Sequence, residues 1–182
     1  MNLHLQPVFN IILKKLEEAD IQFWVHGGVA IAGIKGQYLR ENNDIDTFVL
    51  YEDYEKASEL LYNLCSEYEN WKIIFYKSVE RRRPKLQIYI NGKEIFSLMP
   101  VFKNQKGVEF IFPNKGSKNF PLNILSFISR NLDGFEFNTT SDKYIKELFY
   151  NHYDLCKKRG DTGSHMKNYK IDKKYLDSLN IE

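Results

Sequence analysis

Four residues in the first part of the chain have the types and spacing to do chemistry. Gly27 and Gly28 end an apolar run, and Asp44 and Asp46 follow, the first of them sixteen residues after Gly28. On an extended strand, residues two apart project from one face, so Asp44 and Asp46 present their carboxylates side by side. Carboxylates that close repel each other, and a divalent cation is the usual reason to keep both ionised. Mg²⁺ suits such a pair, because it takes one or two protein carboxylates and completes its shell with waters and substrate phosphates. The glycines supply the complement. A backbone without Cβ atoms can approach a phosphate closely, and the N-terminus of a following helix turns amide donors toward it. Lys35 and Arg40, in the connecting segment, are placed to add charge to triphosphate oxygens.

Each half of this pattern also has a plainer reading. A glycine pair alone is most often a turn, and two aspartates among 24 acidic residues can be a solvated strand edge. The combination favours a site for a nucleotide and a metal: glycines close one strand, carboxylates open the next, and a short helix and loop fit between them.

Positioning these residues needs a particular series of elements. Pro7 to Ala19 carries Val8, Ile11, Ile12, Leu13 and Leu16 near the 3.6 period, which predicts a first helix. Ile21 to His26 reads as a strand ending at the glycines, Val29 to Ile34 as a short helix, and Asp44 to Leu50 as a second strand. Glu52 to Tyr68 has one apolar side and predicts a helix, and Trp71 to Lys77 is β-rich. In KLQIYINGKEIFSLMPVF, Asn91 and Gly92 accept the positive φ angles of a two-residue hairpin turn. Val108 to Phe112 extends the sheet. Beyond it come a polar loop over 115–119, a short helix or irregular segment from Leu122 to Ile128, a helix from Ser141 to Lys158 capped by Ser141, a loop from Arg159 to Asn168, and a last helix from Ile171 to Leu179. The order predicts an α+β fold with a mixed or antiparallel sheet flanked by helices: a core over residues 1–112, with residues 113–182 a mostly helical extension packed on it as one compact unit.

Composition narrows the function classes. The net charge of +2 gives no reason to expect a nucleic-acid binder. The N-terminus meets acidic residues after a short apolar run, unlike a signal peptide or a membrane span, so the expected location is the cytoplasm. Cys65 and Cys156 suggest neither a disulfide framework nor a metal site. No P-loop, HExxH or serine triad order is present.

GGVAIAGIKGQYLRENNDIDTFV resembles the signature of the small antibiotic nucleotidyltransferases, the lincosamide nucleotidyltransferases and aminoglycoside adenylyltransferases of the DNA polymerase β superfamily. The matching residues are Gly27, Gly28, Ala30, Gly36, Arg40, Asp44, Ile45 and Asp46. The match is specific over Phe23 to Leu50 and follows the order of elements to about Phe102. The resemblance implies a polymerase β-like fold and transfer of a nucleoside monophosphate, AMP from ATP by expectation, to a hydroxyl of a small molecule such as an antibiotic. It implies Mg²⁺ held by Asp44 and Asp46, a triphosphate cradled by Gly27 and Gly28, and pyrophosphate leaving by in-line displacement. The expected partners are therefore a nucleotide and a small acceptor.

The chain departs from that pattern at one point. The family has a third carboxylate on a neighbouring strand, an Asp followed by two residues and a Pro, and in IFSLMPVF that place falls to Ser97. A neutral hydroxyl does not serve as a base. The alternative reading is thus an attenuated or inactive protein that keeps nucleotide binding or meets a protein partner. Glu94 or Glu109 could substitute, but strand alternation gives Glu94 the opposite parity to Ser97 and points it away. His26, the cluster Arg81, Arg82, Arg83 and Lys85, and Tyr150, His152, Asp154 and Asp161 are further polar candidates, each with a packing or solvation role as the simpler reading.

Overall fold

In the computed structural model, which describes residues 2–76, 84–112 and 116–181, the predicted order of elements is largely realised. Val8–Leu13 winds with the wider π geometry and continues directly into helix α1 (Lys14–Glu18). Strand β1 (Phe23–His26) feeds helix α2 (Gly27–Lys35), which starts at the first glycine of the pair, two residues before the apolar pattern begins. Strand β2 (Ile45–Leu50) runs into helix α3 (Tyr51–Ser66). Strands β3 (Trp71–Tyr76), β4 (Lys85–Ile90), β5 (Lys93–Asn104) and β6 (Gly107–Phe112) follow. The β4–β5 turn is the one the sequence predicts, with positive φ at Asn91 and Gly92.

Residues after Phe112 hold more strand than alternation alone reveals. Strand β7 (Gly116–Phe120) pairs with β6 where a polar loop is expected, and β8 (Ile128–Leu132) and β9 (Phe135–Thr139) form a hairpin. β9 lies parallel to β1, with Val25 opposite Thr139, so the main sheet takes a strand from the C-terminal part. The sequence hides these strands because Lys118, Asn119, Ser129, Arg130 and Asn131 sit on edge strands, where polar residues blunt unwanted pairing. Helix α4 (Asp142–Arg159) matches the prediction, with Ser141 at its cap position but without a capping side-chain hydrogen bond. Helix α5 (Ser164–Asp177) begins seven residues before the predicted Ile171.

The main sheet has the order β3-β4-β5-β2-β1-β9-β8, with β2 and β5 parallel and β1 antiparallel to β2. It is the mixed, helix-flanked α+β sheet expected. Alternation along its strands builds two cores. Val25, Ile45, Val49, Phe96 and Leu98 face α1, α2 and α3 in the larger one. Trp24, Phe48, Val101, Phe110, Phe120, Tyr144 and Leu148 form the smaller one on the opposite face, under β6, β7 and α4. Trp24 stacks on Phe48 at 5.2 Å, and each such fully buried side chain contributes roughly 1.5–3 kcal/mol. Helix α4 serves both cores, with Ile145 and Phe149 in one and Tyr144 and Leu148 in the other. The smaller core stops short of His26 and Asp46, and the space it leaves is the cleft. Among the described residues, no helix is long and apolar enough to cross a membrane.

Candidate active site

The glycine turn is built by what surrounds it. β1 ends at His26 in extended backbone, and Gly27 then takes a φ of +70°, a conformation that side-chain-bearing residues adopt only under strain. A Cβ at Gly27 would stand 3.2 Å from Asp46 Oδ2, so the turn and the carboxylate are in contact. Gly28 makes room in a different way: a Cβ there would fall 2.3 Å from Asn42 Oδ1 and 2.4 Å from Arg40 Nη2 and would push those side chains aside. The loop after α2 folds back onto the helix N-terminus, its Asn42 and Arg40 side chains occupying the space that Gly28 leaves open. That loop is held on its other side by the N-terminal segment, since the Asn42 amide donates to Asn2 Oδ1 at 2.8 Å and the His4 ring meets the Asn42 carbonyl at 2.8 Å.

Asp44 and Asp46 stand at the start of β2, both half-buried and both lining the cleft beside Gly27 and Gly28. Across the sheet Asp46 is in register with His26 on β1 and with Ser97 on β5. Ser97 is fully buried, and its hydroxyl donates to Asp46 Oδ1 at 2.5 Å. Burial works to raise the Asp46 carboxyl, but the positive fields of His26 and Lys85 and the Ser97 hydrogen bond outweigh it and hold the group below its ordinary range. Asp44 goes the other way. Burial first, then the charges of Asp46 and Glu94, push it up to about 8. Two carboxylates on one strand are thus split into one that stays ionised and one that resists ionising without a cation. Hard oxygen donors with an unrelieved negative field fit Mg²⁺. Among the described residues no cluster of three or more His, Cys, Asp or Glu ligands forms, which leaves the rest of such a shell to phosphates and water.

Glu94 corrects the parity argument. Strand β5 carries a bulge: Ile88 of β4 is opposite Phe96, but the next residue, Tyr89, is opposite Glu94, which leaves Ile95 as the extra residue. The insertion reverses the alternation, so Glu94 shares a face with Ser97 and Gln87. Gln87 Nε2 donates to Glu94 Oε1, Tyr89 donates to Gln87 Oε1 at 3.1 Å, and Lys85 Nζ lies 3.6 Å from Glu94 Oε1. Burial and the nearby Asp46 raise the Glu94 carboxyl against the pull of Lys85 and Gln87. Glu94 lines the same cleft as Asp44 and Asp46. Nothing in the sequence pattern marks this bulge, since Ile95 is an ordinary strand residue buried in the core.

The two predicted cations lie differently. Arg40 lines the cleft beside Gly28, but its guanidinium forks onto Asp172 of α5, with Nη2 at 2.7 Å and Nε at 3.0 Å from Oδ2. The pair is nearly closed to solvent, at 13% and 2% exposure. Burial raises the Asp172 carboxyl despite Arg40, so the pair is less a source of net stability than a latch whose partners cannot be removed singly without a cost of about 3–5 kcal/mol. Lys35 is not among the residues lining the cleft. Its amine sits 5.6 Å over the ring of Tyr175. Among the other candidates, His26, Lys85 and His152 line the cleft, and His152 Nδ1 meets the Tyr169 hydroxyl at 2.9 Å. Tyr150 instead donates to Asp177, and Asp161 pairs with Arg159 at 2.7 Å. Arg81, Arg82 and Arg83 lie outside the described residues. Glu94, Gln87, Asp172 and Tyr169 are the site residues that sequence reasoning did not assign.

The cleft has a volume of roughly 1760 Å³, walled by β2, β4 and β5 on one side and by α4 and α5 on the other. Pockets for single drug-sized ligands run about 300–1,000 Å³, so this one has room for two.

Comparison with known proteins gives the same picture. Residues 8–90 match the family model described as Aminoglycoside-2''-adenylyltransferase. The lincosamide antibiotic adenylyltransferase LnuA, solved with lincomycin bound, superposes with a TM-score of 0.62 at 19% identity, covering 93% of this chain and 94% of its own. The antibiotic-resistance factor ANT(2'')-Ia gives a TM-score of 0.64 at 13% identity, covering 97% and 89%. The polyadenylate synthase of Megavirus gives 0.59 at 14% identity, covering 96% of this chain but 32% of that larger one. No match was found among curated protein sequences. The family model covers the span that holds the glycine pair and both aspartates, and the solved neighbours share the fold. The chain has the nucleotidyltransferase fold, and over residues 8–90 it resembles the aminoglycoside-2''-adenylyltransferase family.

Proposed function

We propose that the chain is a Mg²⁺-dependent nucleotidyltransferase that moves AMP from ATP to a hydroxyl of a small acceptor, with hydroxylated antibiotics the first class to try. The observation that carries this reading is the meeting, in one cleft, of the glycine turn at the N-terminus of α2 with the paired carboxylates of β2. The amides of that helix end and the room left by Gly27 and Gly28 suit a triphosphate. Asp44 and Asp46 would hold the cation, which supplies charge neutralisation at the phosphates and lowers the pKa of the attacking hydroxyl. His26, Lys85 and Ser97 keep Asp46 ionised for that role. Residues 1–112 would bind the nucleotide, and residues 113–182 would close the acceptor side through α4.

A second reading, nucleotide binding with little or no transfer, is favoured by Ser97 in the place of the third acid. One assay separates the two. Pyrophosphate release is followed with ATP, Mg²⁺ and a panel of hydroxylated antibiotics, while nucleotide affinity is measured by calorimetry. Release that depends on an acceptor supports transfer. Tight binding without release supports the second reading, and absence of nucleotide binding at high protein concentration rejects both.

A further inference from the structure

The proton on the acceptor hydroxyl needs somewhere to go, and the residue in register with Asp46 does not take it. Ser97 is fully buried and its hydroxyl is committed to Asp46. The carboxylates that line the cleft among the described residues are Glu41, Asp44, Asp46, Glu94 and Asp172. Asp44 and Asp46 form the cation pair of the proposed function, Asp172 is locked to Arg40, and Glu41 is on an exposed part of the loop. Glu94 is the one that the β5 bulge turns onto the face of Asp44 and Asp46. It is also the one prepared as an acceptor of protons. Gln87 and Lys85 both address Oε1, so the carboxylate is oriented, and among the described residues no hydrogen bond or ion pair falls on Oε2.

We propose that Glu94 is the catalytic base of this chain, doing from three residues upstream, through the bulge at Ile95, what an acid at position 97 would do through regular alternation. The proposal rests on the nucleotidyltransferase reading. In the step, the hydroxyl O–H bond breaks and its proton passes to Glu94. The oxygen lone pair forms the new bond to the α-phosphorus, and the bond from that phosphorus to the bridging oxygen breaks, its electron pair leaving with pyrophosphate. Gln87 and Lys85 act as positioning residues that aim the carboxylate.

The test compares wild type, E94Q and E94D by pyrophosphate release at saturating Mg²⁺ and ATP, using the best acceptor of the panel and water as a minimal acceptor, with ATP affinity measured by calorimetry. E94Q is close to isosteric and keeps a partner for Gln87, and its melting temperature reports on folding directly. The expected result is a kcat lower by about 10²–10⁴-fold, the usual worth of general base catalysis, with ATP affinity within about twofold of wild type. E94D, which keeps the acid, is expected to retain at least about tenfold more activity than E94Q. A kcat for E94Q within threefold of wild type overturns the proposal, as does equal loss in E94Q and E94D, or a loss explained by weaker ATP binding. Wild type that binds ATP yet releases no pyrophosphate to any acceptor or to water also overturns it and leaves nucleotide binding standing. Failure of wild type to bind ATP at all rejects the nucleotidyltransferase reading itself.

Discussion

Strands β2 and β5 lie side by side and parallel, and both supply polar groups to the same cleft, but they do so by different geometry. At β2 no bulge is needed: Asp44, just before the strand, and Asp46 within it are two apart and line the same cleft. On β5 the pleat delivers Ser97, and Glu94 reaches that face only because Ile95 is an extra residue against β4. The difference teaches that strand parity holds between bulges and reverses across one. It also separates two jobs. The regular strand fixes the carboxylates next to the glycine turn, while the bulged strand sets a further carboxylate on the same wall of the cleft, tethered by side chains of β4.

Substitutions can break or sharpen that contrast. The largest effect belongs to the regular strand: Asp46→Asn is expected to lower transfer by about 10³-fold, the size seen when a charge-stabilising group is removed from a transition state. Activity within tenfold of wild type, measured by pyrophosphate release, would remove Asp46 from the site. Next comes the link between the strands. Ser97→Ala takes a donor from a buried carboxylate and is expected to cost about 1.5–3 kcal/mol in urea unfolding, as for hydrogen bonds to charged groups. An unchanged midpoint would mean that Asp46 does not depend on β5.

Smallest at any single step, though it accumulates over several pH units, is a pH dependence at Asp44 itself. Asp44 stands at about 8 in the folded state because of burial and its acidic neighbours, well above its value of about 3.9 in an unfolded chain. Its contribution to stability is therefore present below about pH 4 and lost as pH climbs toward 8, where folding has to keep a charge that the unfolded chain carries freely. Metal-free protein should lose stability across that window by at most about 1.4 kcal/mol per pH unit, and Asp44→Asn should flatten the slope. Thermal melts from pH 5 to 8.5 with and without Mg²⁺ check this. A slope that survives Asp44→Asn would place its origin elsewhere.

Much of the site was legible because its chemistry is local in sequence. Gly27, Gly28, Asp44 and Asp46 follow from a strand, a turn, a short helix and a strand, each with its own pattern, and those elements fall within a residue or two of where the sequence puts them. What was not legible depends on pairing. The bulge at Ile95 exists only relative to β4, and the partner of Arg40 comes from a helix at the other end of the chain. Lys35 illustrates the converse. Its place in the segment connecting the short helix to β2 predicts a phosphate contact, and packing of α5 gives it an aromatic ring instead. Strands β7 and β8 escaped because polar edge positions mask their alternation, and β9 because its place beside β1 is a long-range pairing.

The ion pair between Arg40 and Asp172 joins residues 132 apart in the chain. On a ribosome, the glycine turn and both β2 aspartates emerge long before the residue that locks the loop over Gly28. At synthesis rates of about 5–20 residues per second, that interval is on the order of ten seconds. Through the later part of that time the nascent chain carries Glu41, Asp44, Asp46 and Glu94 with the loop's last restraint still unmade. The glycine turn is thus among the first segments synthesised and the last to be finished, and a chain interrupted before α5 would hold the motif without its final shape.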